Sequence, residues 1–222
     1  MSVFNSIHAR IFIFIVLFIF LASCGIEDIP RYLYYSPRVY SASLNALNFL
    51  PPTEFEPLFF GIEICYKIYA SKSDGDAEAS NFASRQNSDL VPGTSILSYL
   101  LSSNNMNYHR LVIRENTQVR FIITKDKIVS TESLLTIELN NDKEIEFKIN
   151  NITIATLYRN PIASPVSFSV EPHAEDSDYK TSNSDTDPDY YIQFYAVSYG
   201  YTNSLQAIYS KAELLGVLTI AY

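Results

Sequence analysis

Glycine and tryptophan are scarce in this sequence, which has six glycines and no tryptophan among 222 residues. Loops that cradle phosphate groups depend on closely spaced glycines, and no motif of that kind occurs. The glycine and serine pattern of a nucleophile elbow is missing, as are paired histidines at helical spacing. The sequence therefore offers no ready-made motif for phosphate binding or for a nucleophilic serine.

Basic residues are also fewer than acidic residues. Sixteen lysines and arginines stand against 24 aspartates and glutamates, which gives a formal net charge of −8. Proteins that bind nucleic acid or anionic lipid through charge need a basic patch or stripe. The charge balance argues against both of these partners, and we predict no nucleic-acid binding.

Cysteine is nearly absent, and the two residues present do not form a disulfide framework. Cys24 ends an apolar leader, and Cys65 lies inside an apolar, strand-like stretch. If Cys24 is modified, Cys65 has no partner left in the chain. We expect Cys65 to be a small buried apolar residue rather than a nucleophile.

The longest apolar run is short of the roughly 20 residues that a membrane-spanning helix needs. It covers residues 11–22, an uncharged stretch of twelve that follows the single positive charge of Arg10. That length and that flank are typical of an export signal peptide. A retained transmembrane anchor is the alternative interpretation.

The run ends in Leu21, Ala22, Ser23 and Cys24, which resembles the lipobox of bacterial lipoprotein precursors. The resemblance implies cleavage just before Cys24, diacylglycerol on its thiol and acylation of the new amino terminus. Two or three acyl chains hold a protein on a bilayer stably, whereas one does so marginally. Gly25, in place of an aspartate, favours the outer membrane. Ordinary signal peptidase cleavage, which leaves a free thiol, is the alternative.

Three segments follow from this interpretation: a signal peptide at 1–23, a lipidated amino terminus and tether at 24–37, and an ectodomain at 38–222. Removing the leader removes Arg10, so the mature chain has 15 bases and 24 acids, a net charge of −9. A tyrosine cluster, Tyr32, Tyr34 and Tyr35, closes the tether. We expect these rings to pack on the domain as part of a strand, with the aromatic layer of the membrane interface as the alternative.

The ectodomain pattern is mainly β. Apolar residues alternate in 135–139 and 145–149 around a polar turn, which predicts a hairpin. Further strand-like runs are 44–49, 59–69, 108–113, 119–124, 152–158, 190–198 and 214–220. Helices are predicted over 74–85 and 95–101. No repeat of fixed period occurs, which argues against a propeller or solenoid.

Three of these stretches together resemble a fibronectin type III domain. The second strand of that family resembles Leu47 and Phe49 followed by Pro51 and Pro52. The third strand resembles the stretch with Gly61, Ile64 and Tyr66. The sixth strand resembles the stretch with Tyr190, Ile192, Phe194 and Ala196. The seventh would lie within 208–220. Ile62 stands where the family has an aromatic residue, and the characteristic tryptophan is absent. The resemblance implies an antiparallel β-sandwich with an insertion at about 70–189; another antiparallel sandwich or a barrel is the alternative.

An acidic, serine-rich segment at 171–189 is poor in large apolar residues. Such a composition predicts a mobile loop, because little surface is available to offset the entropy of ordering. Asp185, Asp187 and Asp189 alternate within it and are a weak candidate for a calcium site, since Ca²⁺ prefers hard oxygen ligands. An EF-hand is excluded, because its sixth and twelfth positions would be Tyr190 and Ala196.

Residues for catalysis are few. His109 lies beside a strand and is interpreted as structural, and His173 lies in the acidic segment; neither has the neighbours of a zinc site. We predict no cofactor. Tyr195, Val197 and Tyr199 alternate opposite Ile192, Phe194 and Ala196, so the inserted segment covers this second apolar face, or the face binds a partner.

The predicted function is that of a non-catalytic envelope lipoprotein, with the membrane as one partner through lipid on Cys24 and a protein or glycan as the other. Two alternatives remain open. One is a periplasmic structural or assembly-accessory lipoprotein. The other is an envelope carbohydrate-active enzyme that uses a pair of carboxylates.

Overall fold

Two β-sheets pack face to face and form a sandwich, as the alternating sequence pattern predicts. The structure is a computed structural model that describes residues 32–88, 94–113, 119–161, 164–182 and 188–222. Arg31–Tyr222 forms one compact unit. The predicted fold class, a mainly β sandwich, is confirmed.

The first sheet has six strands in the order β1, β2, β6, β7, β8 and β9, and each neighbouring pair is antiparallel. Their bounds are Arg38–Ala42, Ala46–Leu50, Leu135–Leu139, Ile145–Ile149, Ile152–Arg159 and Val166–Ser167. β6 and β7 form the predicted hairpin. In its turn, the Asn140 side-chain oxygen accepts the backbone N–H groups of Asp142 and Glu144, each at 3.0 Å.

The second sheet is built around two long antiparallel strands, β3 (Phe59–Tyr69) and β11 (Asp189–Tyr201). Three short strands share the other edge of β3: β4 (His109–Arg110), β5 (Ile122–Thr124) and β10 (Tyr179–Lys180). β12 (Ala207–Tyr209) and β13 (Glu213–Ala221) lie along the other edge of β11. β10 pairs in parallel with β3, and the other pairs of this sheet are antiparallel.

Even-numbered residues of β3 and β11 fill the space between the sheets. Ile64 lies opposite Ala196, and Tyr66 opposite Phe194, in register across the central pair. They pack in one cluster with buried side chains of the first sheet, Leu47, Phe49, Ile137 and Phe147 among them. Full burial of each large apolar side chain contributes about 1.5–3 kcal/mol, so this layer is the main source of stability.

Odd-numbered residues of the same strands point to the opposite face, which two helices cover. α1 spans Lys72–Ser88 and α2 spans Thr94–Leu101, so both predicted helices are confirmed, with α1 longer than expected. A second apolar cluster joins Phe82 and Leu97 of the helices to Cys65, Tyr195 and Val197 of the sheet. The second apolar face of β11 is therefore covered by α1 and α2, which lie within residues 70–189.

Neither helix has the length and apolar character that crossing a membrane would require, and this holds for all residues that the structure describes.

The centre of the outer face of the first sheet carries polar side chains. Asn48, Thr136 and Lys148 lie in one row across three neighbouring strands. Lys148 there contacts Glu138 at 2.6 Å and Glu146 at 3.3 Å, as is usual for the solvated face of an antiparallel sheet.

Candidate functional site: a polar groove over buried ion pairs

Several residues singled out in the sequence lie outside the described part of the chain. These are Cys24 and two of the three candidate calcium ligands, Asp185 and Asp187. The third, Asp189, begins β11 and pairs with Ala221. Among the described residues, no three histidine, cysteine, aspartate or glutamate side chains come together as a metal site.

The acidic segment is ordered where the structure describes it, so the prediction of a mobile loop is wrong for residues 171–182. Its anchor is Arg159, which is fully buried at the end of β8. The Arg159 guanidinium donates to Asp178 Oδ1 at 2.8 Å and to Asp176 Oδ2 at 2.7 Å, and Tyr66 Oη donates to Asp178 Oδ2 at 2.6 Å. Composition did not reveal this order because the compensating charge lies outside the segment.

Of the two histidines of the domain, His173 lies within this segment and His109 contacts it. His109 is half-buried, with Nδ1 2.9 Å from the carbonyl oxygen of Asn160 and Nε2 3.2 Å from that of Ser177. His173 is exposed, and its backbone N–H donates to Asp176 at 3.1 Å. Both contacts hold backbone in place, which is the structural role that the sequence predicts for His109.

Glu63 is a second buried charge, on the helix-covered face of β3. Its side chain is inaccessible to solvent, and its Oε1 lies 2.6 Å from Arg110 Nε and 2.7 Å from Arg120 Nε. Burial raises the pKa of Glu63, and the two guanidinium groups oppose that rise. Cys65, two residues along the same face, is buried as predicted, and burial raises the pKa of its thiol. It is therefore poorly suited to act as a nucleophile.

Lys67 is the third buried charge, and it joins β3 to α1. Its Nζ donates to Glu78 Oε2 at 2.9 Å and to the carbonyl oxygen of Met106 at 2.7 Å. Burial lowers the pKa of Lys67, and Glu78 opposes that effect. Lys180 Nζ donates to the second oxygen of Glu78 at 2.6 Å, and Tyr69 Oη donates to Glu78 Oε2 at 2.8 Å.

These three clusters share one electrostatic arrangement. Glu63 has two arginines, Glu78 has two lysines, and Asp178 has Arg159 together with a tyrosine hydroxyl. Desolvation raises the pKa of Glu78, but the hydrogen bonds from Lys180 and Lys67 outweigh it, so that pKa is lowered overall. Glu78 is thereby favoured in its ionised form, and the three clusters together fix β4, β10 and α1 on β3.

Above the Lys67 cluster an open groove of about 500 Å³ lies between α1, α2 and the turn that follows α2. Its volume falls within the range of about 300–1,000 Å³ that is usual for ligand sites. The groove presents a carboxylate, two amides, a hydroxyl, a guanidinium and one aromatic ring. The lining residues are Glu78, Asn81, Ser84, Arg85, Tyr99, Asn105 and Met106.

Part of this groove could have been recognised in the sequence, from the spacing of polar residues in the predicted helix. Glu78, Asn81 and Arg85 are spaced by three and four residues within the predicted helix, so they share one face. Polar residues on a helix face usually meet solvent, which is why the spacing alone did not identify a site. Asn105 and Met106, which complete the groove, come from the turn after α2.

A second exposed feature is an aromatic patch formed by Phe60 and Tyr201, whose rings contact the buried ring of Tyr199. Phe60 and Tyr201 are 45% and 38% exposed, and the ring centroids lie 5.0 to 5.8 Å apart in edge-to-face geometry. Arg120 lies 4.8 Å from the centre of the Tyr199 ring. Phe60 lies at the start of β3 and Tyr201 ends β11, so the patch lies at one end of the second sheet.

Comparison with known protein families, curated proteins and solved structures gave no match for this chain.

Proposed function

We propose that this protein is a bacterial lipoprotein of the cell envelope, held on the outer membrane by lipid on Cys24, and that its domain binds a glycan without catalysis. The lipobox-like sequence at 21–24 supports the anchor. The groove over the Lys67 cluster is the observation that carries the binding function. It joins concave shape to a dense set of hydrogen-bonding side chains.

The groove chemistry suits a saccharide because sugar hydroxyls both donate and accept hydrogen bonds. Asn81 and Asn105 offer amides that do both, Arg85 only donates, and ionised Glu78 only accepts. Glu78 is fixed by Lys67, Lys180 and Tyr69 before any ligand arrives. A preorganised acceptor of this kind loses little conformational freedom when it binds.

The sandwich itself is proposed to be of the fibronectin type III kind. Three adjacent strands, β1, β2 and β6, lie in one sheet, and β3, β11 and β13 are adjacent in the other. The strands that resemble the second, third, sixth and seventh of that family occupy corresponding sheets. The insertion at about 70–189 then contains the two helices and the extra strands, and it also builds the groove.

Lipidation is tested by replacing Cys24. In cells fed labelled palmitate, Cys24→Ala is expected to abolish the label and to release the protein from the membrane fraction, because the thiol that carries the diacylglycerol is gone. Cys65→Ala is the matched control and should keep both label and membrane association. Label retained on Cys24→Ala would overturn the anchor.

Glycan binding is tested with matched amide variants in a saccharide array followed by titration. Asn105→Ala and Asn81→Ala should each weaken binding of a captured saccharide about tenfold, which corresponds to about 1.4 kcal/mol. Asn104→Ala in the same turn and Asn87→Ala on the same helix are the controls, since neither residue lines the groove. Equal affinities for both sets would place binding elsewhere, and a wild-type protein that captures no saccharide would reject the proposed ligand class.

A protein ligand is the second candidate, and the aromatic patch favours it. Exposed tyrosine and phenylalanine rings are common anchors at protein interfaces, since they provide contact area at low entropic cost. If a purified envelope protein binds, and Tyr201→Ala weakens that binding while Asn105→Ala does not, the patch rather than the groove is the functional surface.

A further inference from the structure

A group of large apolar side chains projects into solvent at the start of the described domain. It consists of Tyr34 (66% exposed), Val39 (43%), Tyr40 (67%) and Leu44 (71%), and we refer to it as the N-terminal apolar patch. Among the described residues fifteen large hydrophobic side chains are exposed, and five of them, these four and Tyr35, fall within residues 34–44. Exposed apolar side chains concentrated in this way are typical of an interaction surface.

The backbone that carries the patch is fixed to the sandwich before and after β1. Leu33 is buried and donates its N–H to the Tyr209 carbonyl oxygen at 3.1 Å, and Ser198 Oγ donates to the carbonyl oxygen of Tyr35 at 2.7 Å. At the other end, the N–H of Thr219 donates to the Leu44 carbonyl oxygen at 3.0 Å. The apolar side chains are therefore displayed on a fixed frame.

The prediction that Tyr32, Tyr34 and Tyr35 form part of a strand is wrong, because all three precede β1. Tyr32 and Tyr34 precede β1, with their ring centroids 4.9 Å apart. The N–H of Tyr34 donates to Glu56 Oε1 at 2.7 Å, so the backbone is tied to the domain while the Tyr34 side chain is exposed.

The segment that carries the N-terminal apolar patch differs in charge from the rest of the chain, because it lacks acidic residues. Residues 29–53 contain no aspartate or glutamate and two arginines, although the whole chain carries a net charge of −8. Of the nearby acids, Glu56 accepts the N–H groups of Tyr34 and Tyr35, and Glu132 lies 3.4 Å from Arg38. The segment that carries the patch thus adds no carboxylate to oppose its approach to a lipid headgroup layer.

We propose that the N-terminal apolar patch rests in the interfacial layer of the lipid bilayer and sets the orientation of the domain on the membrane. This inference rests on the proposed lipid anchor. Tyr32 follows Cys24 by eight positions in the chain, and a fully extended chain of that length reaches at most about 29 Å. The tether thus keeps the patch close to the bilayer, and tyrosine with aliphatic neighbours is the composition that interfaces favour.

The absence of tryptophan from the chain makes a direct test possible. Tyr40→Trp and Leu44→Trp each introduce a single tryptophan into the patch, and Ile152→Trp is the control, since Ile152 is 67% exposed, as is Tyr40. Ile152 begins β8, four strands from β1 in the first sheet, or about 19 Å at the usual strand spacing. Each full-length lipidated variant is reconstituted into phosphatidylcholine vesicles with and without brominated acyl chains.

In vesicle-bound protein, brominated lipid is expected to quench the emission of Tyr40→Trp and Leu44→Trp and to leave that of Ile152→Trp unchanged. Vesicle-bound protein with no quenching at either patch position would overturn the docking proposal and leave the anchor intact. Equal quenching at all three positions would also overturn it, because orientation would then be absent. Protein that fails to float with the vesicles would overturn the anchor, and the docking proposal with it.

Discussion

Replacing Asp178 by alanine should lower the free energy of unfolding by about 3–5 kcal/mol, because the variant leaves a buried guanidinium without its main partner. Arg159 and Asp178 are both inaccessible to solvent and share two hydrogen bonds, at 2.8 and 3.1 Å. The same change removes the acceptor of the Tyr66 hydroxyl. The measurement is urea unfolding followed by circular dichroism and by tyrosine fluorescence.

Asp176→Ala is the matched control for this prediction. Asp176 contacts the same guanidinium at 2.7 Å, but its side chain is 23% exposed and Asp178 remains in place. A loss of about 1–2 kcal/mol is expected for this partly solvated ion pair and the hydrogen bond from the His173 N–H. The double variant Arg159→Met, Asp178→Leu should lose less than Asp178→Ala alone, since no buried charge is then unpaired. Equal losses for Asp176→Ala and Asp178→Ala would contradict the assignment of Asp178 as the main partner.

Alkaline pH should unfold the protein cooperatively, because several tyrosine hydroxyls are buried. Desolvation raises the pKa values of Tyr66, Tyr69 and Tyr108 above their ordinary value, and the nearby Asp178 adds to the rise for Tyr66. These phenols favour the protonated form in the folded state. Their contribution to stability is therefore fully present below the unfolded-state pKa of about 10 and is lost as pH rises above it.

The effect is expected to be large because each unit of raised pKa, for each tyrosine, corresponds to about 1.4 kcal/mol. Tyrosinate absorbance and far-ultraviolet circular dichroism should therefore change together in one steep transition above pH 10 or so. Without tryptophan, the aromatic absorbance of the chain is dominated by its 17 tyrosines, so the signal is direct. Protein unfolded in guanidinium should titrate in one broad phase instead. Gradual ionisation of all tyrosines in a folded protein would contradict the prediction.

Local pattern predicted much of this fold. Alternating apolar residues predicted β6, β7 and β11, because the side-chain period of a strand is a property of consecutive residues. Both helices were predicted as well, with α1 shorter than observed. The resemblance of three stretches to fibronectin type III strands implied an antiparallel sandwich, and the sandwich is confirmed. Parallel β10 was not predicted, since a two-residue strand carries no period of its own.

The candidate site could not be predicted from the sequence pattern in the same way. Glu63 and Lys67 occupy alternate positions of β3, where a charged residue usually indicates a solvent-facing side. They are buried because α1, α2 and the turn after α2 cover that side, and their charges are balanced by residues from other elements. The pattern of β3 alone cannot distinguish a covered polar face from a solvated one.

By itself the sequence predicted the β-sandwich class, and it supplies the export leader and the lipobox-like cysteine as hypotheses. These rest on patterns of contiguous residues, as does the absence of acidic residues at the start of the domain. Only the tertiary structure decided which charges are paired and where a groove opens. The contacts responsible join Arg110 to Glu63, 47 residues apart, and Lys180 to Glu78, 102 residues apart. Such pairs form because burial makes an unpaired charge costly, and burial depends on how the whole chain packs.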